Sequence, residues 1–369
     1  MGWNRRIYVA TTSLGVYYTE DFTDPAVQPT WTAVNTGLPT LDCKEFWLDP
    51  FEPENRQYVL LNTGRTLYMR TAGGNWTSIL TPAQAGTTTG HAGGTCGGFC
   101  VDAENAGKIW VTYGSNSFGD TPNGYYAVYS DDYGSSWNNG GTMYTTAFTY
   151  WLNSIRASGD YIFARSNLGP GASSVMHYNT PTSGGWNYKN ISTSDNATTP
   201  LCFNSLSKIA YSSSGVGGVS PSRWLTSVNS SGAQTYLLQQ MYPPRLDSMW
   251  FSLTNASHER MIRNSVLHVT TDGWSTKSDS GAISPAPVSV APQAGIDEDS
   301  IFVGLTLGTH VIGCLTSETD TTATGIAGAN AGSSPYTDSI PNTCGGVCGM
   351  GIQSVPNVGG IYSYKVIFE

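Results

Sequence analysis

The chain has 369 residues, 12% charged and 12% aromatic, with 43 Gly and a formal net charge of −9. So many aromatics exclude the disordered class, and 17 Lys and Arg, thinly spread, leave no basic stripe for nucleic acid and no polybasic patch for anionic lipid. No apolar run approaches the ~18 residues of a membrane-spanning helix, so no membrane insertion is expected.

In chain order, the opening "MGWNRRIYVATTS" has no apolar region long enough for a secretory signal, and no signal peptide is visible. From Arg6 onward, three segments repeat one plan. Each has a β-rich run (IYVATT, QYVLLNT, IWVTYGS), a turn and a second run (GVYYTED, TLYMRTAG, YAVYSDD). A loop follows, ending on a Trp: Trp31, Trp76 and Trp137 in turn. The unit is roughly 45 to 50 residues, which is the length of a propeller blade. A fourth unit ends on Trp186, and "RWLTSVNSSGAQTYLLQQM", "SVLHVTTDGWSTKS" and "SIFVGLTLGTHVIGCLTSETD" supply the middles of three more. Periodicity of helical type is absent at any length, and every run is short and alternating or fully apolar.

The first unit begins at its second strand, and "TCGGVCGMGIQSVPNVGGIYSYKVIFE" at the other end is strand-rich without a finished unit. The expected fold is therefore all-β, a single β-propeller of seven four-stranded blades, although six or eight would also fit. The ring would be closed by C-terminal strands that complete the first blade and remove free sheet edges. The blades are expected at about 6–40, 42–85, 96–143, 148–194, 201–245, 246–285 and 286–325, with 344–369 closing the ring. All of this forms one domain.

The most distinctive stretch is "YSDDYGSSW", which reads Ser130-x-Asp132-x-Gly134-x-Ser136-Trp137. This pattern resembles the Asp-box, or BNR repeat, of sialidases, sortilin-type receptors, xyloglucanase-like glycosidases and photosystem II assembly factors. The resemblance covers residues 6–143 clearly and the rest faintly. One box is complete: Thr71-Ala72-Gly73-Gly74-Asn75-Trp76 lacks the Asp, and Thr270-Thr271-Asp272-Gly273-Trp274 reads as a residue short. The chemistry of the box is that of a turn. Gly134 tolerates positive φ, Asp132 and Ser130 accept from turn amides, and Trp137 buries a large ring. In the resembled families the boxes lie on the outer rim, away from the catalytic face, so a structural role is expected.

A sialidase-like site needs converging arginines, and Arg65, Arg156, Arg165, Arg223 and Arg245 are available, but no Arg-Ile-Pro opening occurs. A xyloglucanase-like site needs two carboxylates ~6.5 to 9.5 Å apart for inversion. Its candidates are Asp49, Asp102 and Asp247. Asp49 and Asp102 hold the same place in successive units, which favours turn capping over a catalytic pair. No nucleophile elbow, P-loop, EF-hand or Rossmann fingerprint occurs, and the five His form no metal-type pair. Neither metal nor cofactor is expected.

Seven Cys remain, and "TCGGFC" and "TCGGVC" place Cys96 and Cys100, and Cys344 and Cys348, at equivalent points. Three readings stay open for them: a small local disulfide within each pair, reduced thiols in crowded inner strands, or a metal site with His91 beside the first pair. The functional expectation is a non-enzymatic propeller serving as a structural or recognition module of an extracellular or virion-type particle. Its partners would be proteins of a larger assembly, surface glycans, or both, with Tyr and Trp as sugar platforms. The alternatives are a glycoside hydrolase of the Asp-box group and an intracellular assembly factor.

Overall fold

A computed structural model describes residues 5–11, 13–19, 31–52, 55–102, 104–114, 124–144, 150–167, 174–192, 201–204, 206–215, 223–240, 248–251, 256–257, 259–263, 266–282, 287–292, 301–306, 310–315, 324–328, 347–354 and 362–364. These residues form seven sheets.

The first sheet begins with β1 (Arg5–Thr11), β2 (Gly15–Thr19) and β3 (Thr32–Ala33). The second is β4 (Cys43–Leu48), β5 (Arg56–Leu61), β6 (Leu67–Thr71) and β7 (Thr77–Leu80). A helix, α1 (Pro82–Thr89), precedes the third sheet: β8 (Thr95–Val101), β9 (Ile109–Gly114), β10 (Tyr125–Ser130) and β11 (Asn138–Tyr144). The fourth sheet is β12 (Tyr150–Ser158), β13 (Tyr161–Asn167), β14 (Ser174–Asn179) and β15 (Asn187–Ser192). The fifth is β16 (Cys202–Asn204), β17 (Ile209–Gly215), β18 (Arg223–Val228) and β19 (Gln234–Gln240). The sixth is β20 (Ser248–Phe251), β21 (Glu259–Arg263), β22 (Val266–Thr270) and β23 (Ser278–Ala282). The seventh is β24 (Pro287–Pro292), β25 (Ile301–Thr306), β26 (His310–Leu315) and β27 (Thr324–Gly328). Finally β28 (Val347–Ser354) and β29 (Tyr362–Tyr364) return to the first sheet, whose order is β29-β28-β1-β2-β3.

The chain is thus a β-propeller in fold class, and its C-terminal strands complete the first sheet as expected. β28 pairs antiparallel with β1, with Ile7 opposite Ile352 and Val9 opposite Met350. The first sheet carries five strands rather than four because β29 adds to the free edge of β28.

The chain divides into two compact units. One comprises Met1–Thr63, Tyr68–Thr77 and Asp247–Glu369, and the other Gly64–Leu67 and Ser78–Leu246. In the first unit, Tyr8, Ala10 and Val16 of the first sheet pack on Phe46, Leu48, Val59 and Leu61 of the second. In the other, Phe163, Met176 and Tyr178 of the fourth sheet pack on Leu201, Ala210 and Val228 of the fifth. Burying this apolar surface is the main force that holds neighbouring sheets together.

Strand position explains the sequence patterns. β9 (IWVTYG) is buried at every residue and β5 (RQYVLL) at all but its first, so both read as continuous apolar runs. The outer strand β7 (TSIL) is buried only at Leu80.

The helix α1 departs from the expectation that none would form. "TPAQAGTTT" is too short and too polar for a 3.6-residue period to show. Its signals lie at its ends: Thr81 and Gln84 close a capping box, Pro82 opens the first turn, and Gly90 ends it at φ 78°.

Candidate functional site

The turn between β10 and β11 is built as a closed hydrogen-bond frame. Ser130 Oγ donates to Asp132 Oδ1 at 2.7 Å and accepts from the Asp132 and Gly134 amides. Asp132 Oδ1 also accepts the Ser136 amide at 2.8 Å, and Oδ2 accepts the Ser136 hydroxyl at 2.6 Å. These bonds, the Ser136 hydroxyl first, hold the Asp132 carboxyl below the usual carboxylate range. Tyr133 and Gly134 take φ of 60° and 87°. A Cβ at Gly134 would stand 2.7 Å from Ile79 Cδ1.

A second frame of the same size lies between β22 and β23, where the sequence reads as a residue short. Thr270 Oγ1 donates to Asp272 Oδ1 and accepts from the Asp272 and Trp274 amides. Asp272 accepts the Thr276 amide at 2.9 Å and the Thr276 hydroxyl at 2.6 Å. No residue is missing. Gly273 stands where Tyr133 stands, and Trp274, at φ 72°, takes the place of Gly134. Its buried indole donates to the Glu259 carboxylate, which offsets the unfavourable backbone.

The Trp residues ending the earlier units bolt one sheet to the next. Trp76 Nε1 donates to the Val34 carbonyl just past β3, Trp137 Nε1 to Ile79 O on β7 at 2.8 Å, and Trp186 Nε1 to Gly140 O on β11 at 2.8 Å. Each indole reaches the outer edge of the preceding sheet.

The first turns of the second and third sheets, each following an edge strand, carry two of the carboxylates that the sequence offered for catalysis. Asp49 is buried and accepts the Phe51 and Glu52 amides at 2.9 and 3.2 Å, together with Arg56 Nη1 and Tyr58 OH. Asp102 is buried likewise and accepts the Glu104 and Asn105 amides at 2.8 and 3.1 Å, Asn105 Nδ2, and the Gly159 amide at 3.0 Å. In the fifth sheet Asn204 does the same through the Leu206 and Ser207 amides. Asp247 lies outside the described residues. Of the arginines, Arg165 is fully buried, Arg156 Nη1 donates to the Ile155 carbonyl, and Arg65 sits in a turn at φ 49°. Arg245 and the Arg223 side chain lie outside the description.

Cys96 and Cys100 are buried and are not joined in a disulfide. The Gly-Gly between them does not form a tight loop but a bulge inside β8. Cys96 faces Tyr113 and Cys100 faces Trp110, three residues apart on β9. Extended chain spans ~10 Å over three residues, well beyond the ~7 Å Cα separation that a disulfide bridges. The local disulfide is therefore set aside for this pair. Cys344 and the Cys348 side chain lie outside the description. His91 stacks on Tyr126 at 4.0 Å, and among the described residues no group of three or more His, Cys, Asp or Glu is placed to hold a metal.

One cluster draws on the first turns of three successive sheets. Lys208, from the fifth, donates to the Glu104 carboxylate of the third and, at 3.0 Å, to Ser158 Oγ of the fourth. Ser158 Oγ donates in turn to Glu104 Oε1, and Lys208 Nζ lies 5.4 Å from the Tyr161 ring centre. Burial works to raise the Glu104 pKa, but hydrogen bonds from Lys208 and Ser158 outweigh it and hold the carboxyl below its ordinary value. Sequence reading missed these residues. Each looks like an ordinary turn residue, and only the stacking of sheets brings them together. The available signal was that both lie in the turn that follows a capping residue, Glu104 two residues past Asp102 and Lys208 four past Asn204.

A fully buried polar pair completes the inventory. Ser166 Oγ lies 2.6 Å from His177 Nε2, and both residues are inaccessible to solvent.

No family model matches the chain, and no curated protein matches it. Solved structures do. A GH74 xyloglucanase from Xanthomonas campestris aligns over 85% of this chain and 50% of its own, at 13% identity and TM-score 0.52. The chain thus spans half the length of that enzyme. A chain of the mitotic checkpoint complex aligns over 98% of this chain and 90% of its own, at 9% identity and TM-score 0.54. YCF48 bound to a D1 peptide aligns over 98% and 94%, at 12% identity and TM-score 0.48. At such identities the likeness is one of fold, that of the β-propeller, which hosts unrelated activities.

Proposed function

We propose that this chain is a non-enzymatic β-propeller of the Asp-box type. It serves as a structural or recognition module on an extracellular or virion-type particle and docks to surface glycans or protein partners. The observation that carries this reading is the commitment of Asp49 and Asp102. Each buried carboxylate gives Oδ1 to two amides of its own turn and Oδ2 to neighbouring side chains, and Asn204 fills the same position without a charge. A position that an amide can fill is a cap, not an acid or a nucleophile. The frames at 130–136 and 270–276 support the Asp-box assignment through the bonds that motif exists to make.

The test is where the native protein sediments. Source material fractionated on a density gradient and probed by mass spectrometry should show the chain comigrating with a large particle. A chain found alone at the top of the gradient, and cleaving glycans with a rate that Asp49→Asn or Asp102→Asn abolishes, would replace this reading with the hydrolase.

A further inference from the structure

We infer that the first turns of the third, fourth and fifth sheets form a binding site for an uncharged, hydroxyl-rich ligand, an oligosaccharide segment, held by Glu104, Tyr161 and Lys208. This deepens the recognition reading proposed above and rests on it.

The cluster has hydrogen-bonding capacity left over. Glu104 Oε1 takes both Ser158 and Lys208, while Oε2 takes neither, and the carboxylate is half exposed. Lys208 Nζ uses two of its three donors. Tyr161 is partly exposed, and its hydroxyl has no partner among the described residues. A donor on Lys208, an acceptor on Glu104 and the Tyr161 hydroxyl in one place match the donor-and-acceptor hydroxyls of a sugar.

Charge decides the class of ligand. Lys208 is already neutralised by Glu104, and Asp160 lies exposed beside Tyr161, so an anion gains nothing here and meets carboxylates. A metal cation would compete with an ammonium already bound to the carboxylate oxygen. An uncharged polar ligand faces neither penalty.

The backbone indicates that the side chain matters at this place. Lys208 is held at φ 57°, the left-handed region that suits glycine, and the comparable first turn of the third sheet does use Gly107 there, at φ 79°. A Lys in this position is less favourable to the fold than a Gly would be. Gly159 adds to the cradle, because a Cβ there would stand 2.7 Å from Glu104 Oε2.

The experiment uses the full chain and three variants: Lys208→Gly, Glu104→Gln and Tyr161→Phe. Ligand-observed NMR titration with cellohexaose, mannohexaose and sialyllactose gives affinities, and a thermal melt gives stability. A neutral hexaose should bind the parent chain and weaken about tenfold in each variant. Lys208→Gly should melt no lower than the parent, because glycine accepts that backbone freely. The site is overturned if neither hexaose binds, if only sialyllactose binds, or if all three variants keep the parent affinity. Comigration with a particle in the absence of oligosaccharide binding would sink the site alone and leave the recognition reading standing.

Discussion

Moving from about pH 8 to about pH 5 should cost the folded state about 2 kcal/mol through one side chain, His177. Burial of the imidazole in β14 pushes its pKa from the ordinary 6.5 down to about 3, against a smaller opposing effect of a hydrogen bond with the Met143 backbone. The folded value is depressed, so the unfolded chain takes up the proton first. Stability is fully present above the unfolded pKa of 6.5 and drains away as pH falls from there toward about 3. At about pH 5 the unfolded histidine is almost wholly protonated and the folded one almost wholly neutral. The loss is then set by the 1.5 units between 6.5 and 5, at about 1.4 kcal/mol each. Urea unfolding followed by Trp fluorescence at both pH values measures it, in parallel with His177→Gln. The variant will be less stable throughout, but its drop between the two pH values should be about 2 kcal/mol smaller than that of the parent. The remaining histidines are common to both proteins and cancel in the difference. Asp132 and Asp272, held below the usual carboxylate range first by the side-chain hydroxyls of Ser136 and Thr276, stay ionised across this interval and take up protons only at lower pH. Equal drops in parent and variant would refute the assignment of a buried neutral imidazole.

Three further outcomes follow from the turns and bolts. Trp137→Phe keeps a ring but strands the Ile79 carbonyl, and should lower unfolding free energy by about 1 kcal/mol in urea titration. Gly134→Ala must place a methyl 2.7 Å from Ile79 Cδ1 at φ 87°, so its thermal midpoint should fall by several degrees, an outcome that an unchanged midpoint would rule out. Asp102→Asn should cost less than Asp102→Ala, because Asn204 already caps the same turn with an amide; the alanine variant should lose about 1 kcal/mol or more.

The fold was legible because its determinants are local. Trp76, Trp137 and Trp186 recur once per sheet because each ends the turn before the outermost strand, from which its indole reaches one carbonyl at the outer edge of the preceding sheet. The open first unit and the strand-rich end announced their own pairing, which β1 and β28 make. Where reading failed, the physics was either at the margins or between sheets. α1 is too short to show a period and declares itself only by caps. The Gly-Gly of "TCGGFC" suggested a tight loop because sequence does not distinguish a turn glycine from a bulge glycine. The cluster around Lys208 was invisible because its members lie 104 residues apart and meet only through stacking of separate sheets.

The frames at 130–136 and 270–276 show what that turn demands of a sequence. Both keep a hydroxyl, an Asp and a second hydroxyl at the same spacing, because the first hydroxyl and the Asp accept the turn amides and the second hydroxyl donates to the Asp. Both also need two consecutive left-handed residues, and here the sequences differ: Tyr133 and Gly134 in one, Gly273 and Trp274 in the other. The requirement is for a backbone shape, and glycine is only the least costly way to meet it. Trp274 meets it because its indole is buried and bonded to Glu259, so packing compensates the local cost. The same balance can be asked of Lys208. It too stands at a left-handed φ where a neighbouring sheet uses glycine, but its compensation is a solvent-screened ion pair to a half-exposed Glu104, which is worth little to the fold. A strained residue whose contacts repay so little stability is better accounted for by what its ammonium offers to a ligand.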